Sequence, residues 1–241
     1  YKYFFMAMAV LSSSFIILLV LFVFTKGISP FLSGYEYGQV NLFDFLFGLT
    51  YRQDKGIYGV GFIVINTFVS AFAALLISFP ISVLTALFIA KIAPKRLSKF
   101  MQTVVELLAS IPSIVYGVFA SGLITAFVRQ IASFFGVTTA GGSSLLAVVL
   151  LLAIMIFPTI ASLSITAIQA VDKDLEQASL ALGATKTQTN FKIVLIAAKS
   201  GIFAGAILGI GRAFGEATAV AMVAGNKLFD QHLILLISQE H

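Results

Sequence analysis

The 241-residue chain has no cysteine, no tryptophan, two histidines and only 10% charged residues. Without cysteine there is no disulfide framework, thiolate metal site or cysteine nucleophile. His232 and His241 have no partner histidine at ligand spacing, so no metal site is expected. No Gly-rich phosphate loop followed by Lys-Ser/Thr occurs, so any nucleotide-derived energy must come from another chain. Neither a Ser-His-Asp set nor a carboxylate pair stands at a usable depth, and the chain reads as non-enzymatic, with no cofactor of its own. Soluble domains carry about a quarter charged residues. Here 59% are hydrophobic and the mean hydropathy is +1.04, an inventory from which no water-facing surface can be built. With tryptophan missing, the membrane-interface anchors fall to Tyr, Lys and Arg.

What is present is a series of apolar runs. A membrane helix needs about 20 mainly apolar residues, and residues 4–24 supply the first, interrupted only by Ser12, Ser13 and Ser14. Lys26, Gly27 and Pro30 end it, and within the mixed loop at 27–57 an apolar stretch at 41–50 reads as lying along the interface. A second run, 58–93, exceeds one crossing and implies tilt, protrusion or a bend near Pro80. Further spans are expected at 100–128, broken by Pro112, at 145–168, and at 193–224. After Lys227 only 233–237 is apolar, too short to cross. The fold class is therefore all-α, a polytopic transmembrane bundle forming a single domain over 1–241, with five spans visible.

The net charge of +5 does not imply nucleic acid, because the basic residues sit in short loops between the apolar runs. Lys91, Lys95, Arg96 and Lys99 stand without an acidic neighbour and mark the cytoplasmic side. Lys2, Lys173, Lys186, Lys192 and Lys199 then fall on the same side, against Lys26, Arg52, Lys55, Arg129 and Lys227 outside, which makes the N-terminus cytoplasmic. The polar stretch 169–192 reads as two short helices on that side. Asp172 is a candidate N-cap, Gly183 a left-handed C-cap, and Thr185 with Gln188 a capping box. This segment is either an ordinary connection or a docking element.

Several residues stand out within or beside the spans. Arg212 lies in the fifth, where a central charge costs about 2.5 to 3.5 kcal/mol on insertion scales and faces a water-filled path or a partner. Glu216 follows at i+4, on the same face if the helix is continuous. The two either form an internal ion pair or put a guanidinium on the route of an oxyanion, whose oxygens its planar fork matches. Glu106 is an interface or a pathway residue. Pro112, beside Ser113, frees a backbone carbonyl and bends or breaks its span. Gly201, Gly205 and Gly209 make small-xxx-small steps suited to close helix packing.

Three ordered segments carry a resemblance. Gly183, then Ile193 and Leu195, resembles the EAA loop of ABC importer permeases, although its glutamate position falls on Gln177, with Glu176 one residue early, and its proline position on Ile196. Ala178 and Gly183 match, and Ala184 follows. The run from Glu106 through Pro112-Ser113 to Tyr116-Gly117 is similar to the E-L-L-A-x-I-P-S-V-V-Y-G signature of the phosphate-specific permeases. Gly211-Arg212-Ala213-Phe214-Gly215-Glu216, with Ala219-Val220 and Gly225-Asn226, is similar to their G-R-A-x-G-E segment, in its C-type (PstC-like) form.

The resemblance implies a type I ABC importer permease fold of six spans, in the inner membrane of a prokaryote. It implies Glu176, Gln177, Ala178, Gly183 and Ala184 as the ATPase-coupling contact and Arg212 with Glu216 on the substrate pathway, with Glu106, Pro112 and Ser113 as further pathway or gating residues. The implied partners are a second, A-type (PstA-like) permease, two copies of an ATP-binding subunit holding ATP and Mg, an extracytoplasmic phosphate-binding protein, phosphate itself and the lipid membrane. The alternatives are a permease for molybdate or sulfate, an ion-coupled secondary transporter, or a structural membrane subunit.

Overall fold

The computed structural model describes residues 1–31, 40–49, 51–52, 57–137, 139 and 141–224. Lys55, Gly225, Asn226, Lys227, His232, His241 and the apolar stretch 233–237 lie outside the described residues. The chain divides into two compact units, 1–65 and 66–241.

The first unit holds helix α1 (Lys2–Ile28), the short helix α2 (Leu42–Phe47) and the antiparallel strands β1 (Tyr51–Arg52) and β2 (Ile57–Tyr58). Helix α1 is apolar on every side and buries none of its residues, as a helix solvated by lipid does. Its serines do not interrupt it because the Ser13 and Ser14 hydroxyls donate to the Ala9 and Val10 carbonyls, each at 2.8 Å. Asn41 caps α2 by accepting from the Phe43 N–H at 3.1 Å.

The helices that follow are α3 (Gly61–Leu87), which starts in the first unit, α4 (Lys95–Ser110), α5 (Ser113–Phe134), α6 (Leu145–Gln169), α7 (Lys173–Ala181), α8 (Lys186–Thr189), α9 (Leu195–Ala197), α10 (Lys199–Gly215) and α11 (Thr218–Ala224). Helix α3 runs through Pro80 and ends in a π turn, Phe88–Ile92. Together they make 32 residues, about 48 Å at 1.5 Å per residue, so the helix outreaches a hydrocarbon core of about 30 Å. Helix α6 is the axis of the second unit: Leu151, Leu152, Met155, Ile156, Ile160 and Ile165 are almost fully enclosed, with α4, α5, α10 and α11 packed around it.

Two spans differ from expectation. The run 100–128 is not one bent helix. Ile111 is extended (ψ 129°) because a residue before proline is excluded from helical geometry, so α4 stops at Ser110 and the membrane-length helix is Ser113–Phe134. Helix α4 is instead amphipathic, with Lys95, Lys99, Gln102 and Glu106 along one side and Met101 and Val105 turned to the core. The run 193–224 is broken twice. Lys186–Ala197 and Lys199–Gly215 meet at 66°, where a π turn (Asn190–Val194) and the Ser200-Gly201 pair adjoin, both recognised causes of sharp kinks. A second break follows at Glu216, whose backbone (φ −86°, ψ 99°) leaves the helix. Four helices among the described residues are long and apolar enough to cross a membrane, and counting the bent pair as one span brings the number to five.

The glycine steps of α10 pack as expected. A Cβ on Gly205 would meet Leu163 Cβ at 3.2 Å and one on Gly209 would meet Ile160 Cγ1 at 2.7 Å, while Gly201 lies against Ala167. The α10 backbone therefore rests directly on α6.

Candidate translocation site and coupling segment

Arg212 occupies the last turn of α10, where a cation complements the exposed carbonyls of the helix end. Arg212 is half-buried, and Nη1 donates to Thr159 Oγ1 of α6 at 3.0 Å. Both residues line a groove of about 670 Å³ with Ala204, Ile207, Leu208 and Gly211. Arg212 and Glu216 do not share a helix face, because the helix ends between them at Gly215. The freed backbone groups explain what the carboxylate does instead: Glu216 Oε1 accepts from the Ala219 N–H at 3.0 Å, capping the start of α11. Among the described residues Arg212 has no carboxylate at ion-pair distance. Four of the five guanidinium N–H donors are thus without a side-chain or backbone acceptor among those residues.

The segment around Pro112 positions the neighbouring helices. The Tyr116 hydroxyl donates back to the Leu108 carbonyl at 2.8 Å, holding α5 against α4 across the break. Gly117 lets α11 approach closely, since a Cβ there would meet Ala219 Cα at 2.8 Å. Ser113 is the first residue of α5. Glu106 is exposed on the polar side of α4 and accepts from Gln102 Nε2 at 3.0 Å.

The polar stretch after α6 folds as its caps predict. Asp172 accepts from the Asp174 N–H at 3.0 Å, Gly183 takes φ +85°, and Thr185 and Gln188 complete a capping box with bonds of 2.9 and 3.2 Å. Gln177, Ala178 and Gly183 face outward, Ala184 is half-buried, and Glu176 turns inward to pair with Lys91 at the base of α3. The structure therefore separates Glu176 from the other residues of this group. Four further residues matter here: Thr159, Tyr116, Gly117 and Lys91. The sequence shows Tyr116 and Gly117 only as members of a motif and Lys91 only as a mark of topology. A threonine after Pro158 in an apolar run carries no signal at all.

A bundle of long apolar helices, a polar helical hairpin and a half-buried arginine at a helix break define a polytopic membrane protein. Residues 79–239 match the family of binding-protein-dependent transport system inner membrane components, which is more than half of the chain, and the chain belongs to that family of importer permeases. It is 37% identical over 210 residues to the probable ABC transporter permease protein YqgH of Bacillus subtilis, covering 86% of this chain and 65% of that protein. It is 30% identical over 240 residues to the phosphate transport system permease protein PstC of Xylella fastidiosa, covering 94% of this chain and 73% of that protein. Among solved structures, a chain of the MetNI methionine ABC transporter in an inward-facing conformation matches with a TM-score of 0.50 and 28% identity, over 65% of this chain and 68% of that one. The chain thus spans about two thirds of the Bacillus protein's length, and it has the ABC importer permease fold.

Proposed function

We propose that this chain is the C-type permease subunit of an ATP-driven importer that moves inorganic phosphate across the inner membrane by alternating access. The observation that carries the reading is Arg212, a half-buried residue whose guanidinium has the neutral Thr159 hydroxyl as its one described hydrogen-bond partner. Its remaining donors suit the oxygens of a tetrahedral anion. The similarity to PstC proteins supports phosphate as that anion. In this reading the partners are a PstA-like permease, two ATP-binding subunits carrying ATP and Mg, and an extracytoplasmic phosphate-binding protein. The segment 169–192 is the ATPase contact, through Gln177, Ala178, Gly183 and Ala184. The basic end that holds Lys91, Lys95, Arg96, Lys99, Lys173, Lys186 and Lys192 faces the cytoplasm, as does the N-terminus.

Reconstitution of the chain with these partners in liposomes tests the reading. ATP-dependent uptake of phosphate in preference to sulfate and molybdate is expected, with loss of uptake in Arg212→Ala while the complex still assembles. Uptake driven by a proton or sodium gradient without ATP, or a preference for another oxyanion, would refute it. Full uptake in Arg212→Ala would move the anion's route elsewhere.

A further inference from the structure

Helix α7 has two covalent routes along which a displacement can enter the membrane helices: back through the turn at Ala170–Asp172 into α6, and forward through Gly183 into α8. Helix α3 has neither. Its base is 85 residues from Glu176 in sequence, yet the Lys91 ammonium pairs there with Glu176 Oε1. The two side chains are only 15% and 22% exposed, and theirs is the one ion pair among the described residues. Leu175, Gln177 and Ala178, around Glu176 in α7, are all exposed.

Both ends of this link are held. On the α3 side Lys91 sits in the π turn, where the Ala93 N–H donates to the Phe88 carbonyl at 2.8 Å and the Ser98 hydroxyl to the Ile89 carbonyl at 2.7 Å. A π turn adds one residue to a helix, so without it Lys91 would point about 100° away. On the other side the Ser179 and Thr189 hydroxyls, 2.9 Å apart, tie α7 to α8. Ile89, two residues before Lys91, belongs to a buried apolar cluster with Leu87, Val105, Ile168 and Val194. Neither charge can turn fully to water without leaving the other poorly solvated, which sets this pair apart from a surface salt bridge.

We infer that the Lys91–Glu176 pair is a strut that carries movement of α7 into α3, so that the two residues act as positioning residues for coupling. This rests on the reading of 169–192 as the ATPase contact. The test uses the full reconstituted complex and measures phosphate moved per ATP hydrolysed in Lys91→Glu, Glu176→Lys, the swapped double variant and Lys91→Arg. Each single reversal should assemble and hydrolyse ATP with the ratio reduced roughly five- to hundredfold, the usual range of coupling between sites. The swap and Lys91→Arg should return it to within about threefold, since they keep the paired charges. A wild-type ratio in either single reversal, or a swap no better than the singles, overturns the strut. If the reversals fail to assemble, Lys91→Met with Glu176→Met keeps the bulk without the attraction. A reduced ratio is then expected, and a wild-type ratio sinks the idea. Failure of the unmodified chain to co-purify with an ATPase refutes the underlying reading itself, and the strut with it.

Discussion

Replacing Arg212 by lysine keeps the charge and removes the planar fork, and replacing Glu216 by alanine removes a helix cap. Together they separate two accounts of this site. If the guanidinium holds a desolvated oxyanion, lysine forfeits one charge-assisted hydrogen bond of about 1.5 to 3 kcal/mol. At 1.4 kcal/mol per factor of ten, phosphate flux should fall by roughly 10- to 150-fold. Glu216→Ala loses the bond to the Ala219 N–H, about 1 kcal/mol by analogy with other N-terminal caps. Because the carboxylate bonds to that N–H and not to Arg212, the losses in Arg212→Ala and Glu216→Ala should add, with a coupling energy below about 0.5 kcal/mol. The assays are initial uptake rates in liposomes for the lysine variant and equilibrium stability of the purified complex for the cycle. The double alanine variant should be no better assembled than the worse single, since neither charge compensates the other. Wild-type flux with lysine at 212, or a coupling energy well above about 1 kcal/mol, would refute the reasoning and restore the ion-pair account.

Two further predictions rest on glycines. Gly183 has φ +85° with open space where a Cβ would point, so Gly183→Leu should cost only the left-handed backbone penalty of about 1 to 2 kcal/mol. It should leave the spans inserted while phosphate moved per ATP drops, and unchanged coupling would remove the basis for placing the ATPase contact there. Gly142 combines φ +91° with the Thr125 carbonyl in the place of a Cβ, so even Gly142→Ala should lower stability by more than about 2 kcal/mol. A thermal melt of the purified protein that matched wild type would contradict that packing.

Much of the frame was legible because its signals are local. The apolar runs gave α1, α3 and α6 nearly to their ends, and the turn after Leu182 followed from Asp172, Gly183, Thr185 and Gln188, each of which acts within four residues. The breaks were harder. A π turn has no compositional mark, so Phe88–Ile92 and Asn190–Val194 sit unannounced in the sequence. The i, i+4 spacing of Arg212 and Glu216 implied a shared face only if the helix continued, and hydropathy does not register that the chain leaves it at Glu216. Pro112 was visible as a disruption. Whether it bends one span or separates two helices depends on whether the residues before it can cross a membrane, and the polar row Lys95, Lys99, Gln102, Glu106 is what prevents that. The contacts Arg212–Thr159 and Lys91–Glu176 join residues 53 and 85 positions apart, which no pattern within one segment reaches.

Helix α10 is a rod with a joint at each end. Its 17 residues measure about 25 Å, with the 66° bend below and the Glu216 break above. The surface it turns to α6 is backbone at Gly201, Gly205 and Gly209, against which Ala167, Leu163 and Ile160 are seated. Arg212 lies 14 positions beyond Ala198, at a radius of about 21 Å. A swing of only about 10° at the lower joint therefore displaces the guanidinium by about 4 Å, more than the span of the hydrogen bond that holds it to Thr159. A small rotation of α10 about Ala198 would thus be enlarged at its far end into a parting of Arg212 from Thr159.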